Sequence, residues 1–231
     1  LQKAVANYNK AIQIIRDDEP SGAQIRKLSY EYLIAAYGPD KLNDFEQAEP
    51  IGKRLIELEP DEPGNYYTLG KLYEDQGRYE EAEAHFLAAI ELRPNDPLGY
   101  TYLAGHYNRQ GNFEKTMEAW EKRAQVEPNN PEAHHTIATW LQEKAMKDVR
   151  LPTATKRAYI DRAIAAEDAA LALHENYIEA LVFKNILLRM KAQYERDRRT
   201  IDALLAEADR LRDKAIALQN AQNAGGGGGG I

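Results

Sequence analysis

A unit of 34 residues is written twice in succession between Glu62 and Pro131, and this period constrains the chain more than any single motif does. At that spacing Pro63 falls on Pro97 and Pro131, Tyr66 on Tyr100, Leu69 on Leu103, and Tyr73 on Tyr107. The match continues with Gly77 on Gly111, Tyr79 on Phe113, Phe86 on Trp120, and Pro94 on Pro128, with Pro60 one period earlier. A fixed period of this size means stacked supersecondary units, each covering the apolar face of its neighbour. Gly77 and Gly111 stand where a first helix must stop and the chain reverse, in a left-handed backbone that Gly accepts. Asn95-Asp96-Pro97 and Asn129-Asn130-Pro131 supply an N-cap followed by Pro at about the first helical position.

The residues carrying the period resemble the tetratricopeptide repeat family, whose pattern is W-x2-L-G-x2-Y, then A-x3-F, then P. The first unit fits with Tyr66, Leu69, Gly70, Tyr73, Ala82, Phe86 and Pro94, with Tyr in place of Trp. The second reads Tyr100, Leu103, Ala104, Tyr107, Thr116, Trp120 and Pro128. The resemblance implies an all-α fold, a TPR-like alpha-solenoid of about four to five antiparallel helix pairs closed by a C-terminal capping helix. It also implies a concave face that binds other proteins, and it implies no reaction.

The flanks depart from the central pattern. Val5, Tyr8, Ile12 and Ile15 have helical spacing, and YNKAIQIIRDDEP resembles a second helix without its first, a half repeat over 1–19 with an open apolar flank. Repeats follow at about 20–62, 63–96, 97–130, 131–177 and 178–221, and 222–231 reads as a Gly-rich flexible tail. In the first, helices are predicted over 23–37 and 45–58, joined by a loop two residues longer than that of the next repeat. Pro50 is expected within the first turn of the second of these helices, where its missing N–H has no partner anyway. In the repeat that starts at Pro131, 22 residues separate Leu141 from Ala163, against nine from Tyr73 to Ala82, which places an insertion of about thirteen at roughly 144–156. Lys184 and Asn185 stand where Leu and Gly are expected. In the last helix Ile201, Leu204, Ala208, Leu211, Ala215 and Leu218 alternate by three and four, which reads as a capping helix or a short heptad seam.

A net charge of -7 argues against a phosphate-tracking nucleic-acid binder. No window approaches the run of about 18 apolar residues that a membrane span needs. The absence of Cys removes disulfides and thiolate ligands, and a start without Met predicts a processed or trimmed product. His134 and His135 are adjacent, so on a helix they point about 100° apart and cannot share a metal as an i, i+4 pair does. The register puts His134 in a packing place and His135 in the groove, and His85, His106 and His174 read as surface-helix residues. Glu80, Glu81, Glu118 and Glu121 read as a solvated face, and no nucleophile elbow, phosphate loop or zinc-protease motif occurs. No enzyme activity and no cofactor is expected.

With the first helix of each pair lining the concave face, the resemblance places Tyr67, Lys71, Glu74 and Asp75 in the groove from one repeat and Thr101, Asn108 and Arg109 from the next. His135, Thr139, Gln142 and Glu143 follow from the third. Relatives that clamp a chaperone's C-terminal carboxylate use Lys, Asn and Arg, but here only Lys71 is basic in the first repeat. Thr101 and Gly105 stand in the second and Glu132 and His135 in the third, so that clamp is absent. Lys144, Lys147, Arg150, Lys156 and Arg157 form a basic cluster, either a surface for an acidic partner or a solvated hairpin. The expected function is a non-enzymatic scaffold for a peptide or protein partner. The alternative is a structural subunit that self-assembles end to end, a homo-oligomer built through the N-terminal half repeat and the C-terminal helix.

Overall fold

The computed structural model describes residues 1–15 and 22–226. The expected breaker run at 17–20 and the end of the Gly-rich segment, 227–231, lie outside the described residues. Every regular element among the described residues is helical: α1 (Gln2–Ile14), α2 (Ala23–Tyr37), α3 (Phe45–Leu58), α4 (Pro63–Asp75), α5 (Tyr79–Leu92), α6 (Pro97–Arg109), α7 (Phe113–Val126), α8 (Pro131–Lys147), α9 (Thr153–Leu173), α10 (Ile178–Ala192) and α11 (Arg198–Gly226). The chain divides into two compact units, one over Leu1–Ala119 and one from Trp120 onward, with α7 spanning the division.

In the first unit each helix from α1 to α6 packs on the next, and α4 also touches α6. The core is a run of Leu33, Ala48, Leu55, Leu69, Ala82, Phe86, Ala89 and Ala104. Gly70 lets the Phe86 ring rest on the α4 backbone, since a Cβ there would stand 2.7 Å from the ring edge. Gly77 and Gly111 take φ of +72° and +71°, the left-handed turn that ends α4 and α6.

The period also repeats in hydrogen bonds. Glu62, Asp96 and Asn130 each cap their helix by accepting from the backbone N–H two residues on, at 3.2, 2.9 and 3.0 Å. Tyr73 and Tyr107 donate their hydroxyls to Glu49 and Glu83, at 2.7 and 2.6 Å, tying each first helix to the second helix of the preceding pair. Pro50 corrects the expectation from sequence. It is the sixth residue of α3, beyond the first turn, and it removes the N–H that the Glu46 carbonyl would accept; its exposure to solvent makes that tolerable.

In the second unit α8 packs on α9 and α10, α9 on α10, and α10 on α11. Leu141, Ile160, Ala163, Ala170, Leu181, Leu187 and Ala208 form its core. The insertion has become helix. It lengthens α8 and α9 to 17 and 21 residues, against 13 and 14 in α4 and α5, and leaves a short turn at 148–152. Lys184 bridges Asp168 and Glu207 at 2.7 Å each, and Arg189 reaches Asp209 at 2.6 Å, so α11 lies along α10 as a cap. This helix continues through Gly226, into the segment expected as tail.

Candidate functional site

Three first helices of the first unit, α2, α4 and α6, border an open pocket of about 640 Å³. Its apolar walls are Ile34, Ala35, Leu72, Leu98 and Tyr102, and its rim holds Lys71, Asp75 and the turn from Gly38 to Lys41. The turn reaches the pocket because the loop between α2 and α3 carries the two extra residues seen in the sequence. Tyr67 lies beneath, stacked on Tyr102 with ring centroids 4.4 Å apart. Its hydroxyl is buried without a hydrogen-bond partner, and burial pushes the phenol up to about 12.

One end of the pocket is fixed by charge. Lys71 bridges Glu74 at 2.9 Å and Asp75 at 3.0 Å, and Arg109 reaches Glu74 from α6 at 2.5 Å. Glu74 is itself buried, and the Nδ1 of His106 lies 2.8 Å from it. The Gln110 side-chain amide donates to His106 Nε2 at 2.6 Å, so Nδ1 carries the proton and donates to Glu74. Burial pushes the Glu74 carboxyl up, but Arg109, Lys71 and His106 outweigh it and hold the group below its ordinary value.

The sequence-predicted residues divide between the units. In the first, Tyr67, Lys71 and Asp75 border the pocket, and Glu74 and Arg109 brace it from below. Thr101 instead donates to the Pro97 carbonyl of its own helix, at 3.0 Å, and Asn108 is exposed away from the pocket lining. His106, read from sequence as a surface residue, is fully buried between Glu74 and the Phe86 ring. His85 is half-buried and stacks on Tyr73, which draws its imidazole down by burial, while His174 is exposed.

In the second unit His135 turns into the packing. Its Nδ1 lies 2.7 Å from the fully buried Glu167, and its ring meets Tyr177 and Phe183 edge-on; it does not stand open in a groove. His134 is only half-buried. Thr139 donates to the Thr136 carbonyl at 2.7 Å, Gln142 reaches Met146, and Glu143 pairs with Lys147. Among the described residues no three His, Cys, Asp or Glu side chains converge as a metal-ligand set. No helix among them is long and apolar enough to cross a membrane.

A family profile described as tetratricopeptide repeat matches residues 40–97 and 67–134. The central repeats are tetratricopeptide repeats. A crystal structure of MamA is 16% identical with a TM-score of 0.53, over 79% of this chain and 92% of that one. A second MamA crystal structure is 15% identical with a TM-score of 0.54, over 86% and 94%. MamA from Desulfovibrio magneticus RS-1 is 14% identical with a TM-score of 0.51, over 85% and 96%. At such identities the likeness shows the fold alone. A search of curated proteins returned no match.

In the register of these TPR units, the pocket is bordered by Gly64, Thr68, Lys71 and Asp75 of α4, spaced i, i+4, i+7 and i+11. The same stripe one period on begins with Leu98 and Tyr102. Tyr67, expected from sequence, lines the pocket from beside that stripe, whereas its counterpart Thr101 does not, and Thr68 and Tyr102 were missed. The signal was present, because counting the stripe back from Lys71 and Asp75 in both repeats reaches Leu98 and Tyr102.

Proposed function

We propose that the chain is a non-enzymatic interaction scaffold that receives a peptide segment of a partner protein in the pocket between α2, α4 and α6. The pocket itself carries this reading. It has the size of a side-chain or small-ligand site, in a range of about 300–1,000 Å³, apolar walls, and a charged pair at one end. An apolar side chain seated against Leu98 and Tyr102 is worth about 1.5–3 kcal/mol when fully buried. The Lys71–Asp75 pair gives the entering backbone both a donor and an acceptor, held in place by Glu74 and Arg109. The test is capture of partners from extract with the wild-type chain and with Lys71→Glu/Leu98→Glu. Lys71 also pairs with the buried Glu74, so circular dichroism establishes that the variant folds, and retention of every partner by the folded variant sinks the pocket assignment.

A second reading, self-assembly, is favoured by one observation. Leu1, Ile14, Ile25, Leu28 and Tyr32 are exposed apolar residues on α1 and α2 or beside them. Light scattering against concentration tests it: a monomer at every concentration excludes this face as a self-contact.

A further inference from the structure

The second unit departs from the first on the stripe that borders the pocket there. Where α4 carries Lys71 and Asp75, and α6 Gly105 and Arg109, the matching positions of α10 are Ile186 and Met190. Val182 and Ile186 are exposed one turn apart, and Met190 follows one turn later. On α8 the exposed Met146 shares the Gln142 amide with Met190, at 2.8 and 3.9 Å, and Val149 in the turn beyond is 83% exposed. Two of the chain's three methionines are here, and methionine gives an adaptable apolar contact.

This strip ends in positive charge. Between 144 and 157 the chain carries five basic residues and one acidic residue, within a protein of net charge -7. The side chains of Lys147 and Arg150 are 76% and 90% exposed. Their pairs with Glu143 and Asp148 are surface pairs, which contribute little and yield to a competing carboxylate.

We propose that this strip on α8 and α10, with the turn after α8, is a second interaction surface that takes an amphipathic acidic segment of a partner protein. Apolar side chains of the segment lie along Val182, Ile186, Met190 and Met146, and its carboxylates meet Lys147 and Arg150. Charge complementarity selects the partner. A basic amphipathic segment matches the apolar strip equally well but meets like charge at its end. Nucleic acid finds a basic patch too small and too apolar to track phosphates.

The test uses the full chain and a labelled amphipathic peptide with leucines at i, i+3, i+4 and i+7 and glutamates between them, read by fluorescence anisotropy. A peptide with lysines in place of the glutamates and phosphatidylserine-containing vesicles serve as competing probes. The acidic peptide is expected to bind, with the lysine peptide at least about tenfold weaker. Lys147→Glu/Arg150→Glu weakens the acidic peptide by about tenfold at low salt and less at high salt. Val182→Ser/Ile186→Ser removes binding at any salt, while Leu98→Glu in the first unit leaves it unchanged; circular dichroism establishes that each variant folds. Absence of acidic-peptide binding, equal binding of both peptides, or vesicle binding without peptide binding overturns the proposal. Loss of binding with Leu98→Glu in place of the second-unit variants does so as well.

Discussion

Glu74 is buried and yet ionised, because burial is outweighed by donors from Arg109, Lys71 and His106. Its folded value lies below the ordinary 4.5, so its stabilisation is full above that pH and is lost as pH falls through the depressed value. Glu74→Gln is expected to cost about 2 kcal/mol at neutral pH and to flatten the acid limb, read from urea melts at neutral and acid pH. Glu167 has the opposite sign. Burial pushes its carboxyl up, and the His135 ring lowers it only in part. Its contribution is present in acid and lost as pH rises through the raised value. Glu167→Gln keeps both a donor and an acceptor for the His135 Nδ1 and is expected to cost under about 1 kcal/mol near neutrality, against about 3 for Glu167→Ala. Thermal melts compare the two. The sequence placed Glu74 in the groove without showing its burial, and Glu167 carried no signal there. Glu74 meets His106 from a different place in the period, matched by Asn108 and Leu72 respectively, so aligning the repeats does not reveal the pair.

The helix ends were the most legible elements, because single residues fix them. Gly77 and Gly111 take positive φ where the period predicted a reversal, and Pro63, Pro97 and Pro131 open α4, α6 and α8. The insertion was legible only as extra length. Nothing between Lys144 and Lys147 breaks a helix, so the added residues extend α8 to Lys147, and after the turn at 148–152 α9 begins directly behind Pro152. Pro50 leaves a mid-helix carbonyl without its partner, so Pro50→Ala is expected to stabilise the chain by about 1 kcal/mol, the unfolded-state gain of proline offsetting part of the repair. Denaturant midpoints check it. Ala208 is fully buried where α11 meets α10, and Ala208→Leu overpacks that seam at a cost of about 1–3 kcal/mol. Amide exchange is expected to rise along 198–226 while α4 and α5 keep their protection.

Within each unit contacts run between helices that are adjacent in the chain or one apart, and stability is a sum over local interfaces. Leu69→Ala in the first unit and Leu187→Ala in the second each remove a fully buried side chain, at about 3 kcal/mol. Hydrogen exchange is expected to rise first within the unit that carries the substitution. The repeat class was readable from two adjacent units, whereas the surfaces that differ from it were not. Whether a first helix presents Lys71 and Asp75 or Ile186 and Met190 follows from no rule of packing, since these positions face away from the core.

The caps before α4, α6 and α8 have a consequence at the level of the gene. Each helix start is specified by its own side-chain acceptor and first-position proline, Glu62-Pro63, Asp96-Pro97 and Asn130-Pro131, without reference to the repeat before it. In-frame excision of 63–96 joins Glu62 to Pro97 and restores a carboxylate cap ahead of a proline. Tyr107 then inherits Glu49, the acceptor that Tyr73 uses now, in place of Glu83. The caps and the tyrosine ties therefore survive loss of the hairpin at these junctions, whereas Arg109 and the buried His106 lose Glu74, so the array shortens at the cost of that one seam.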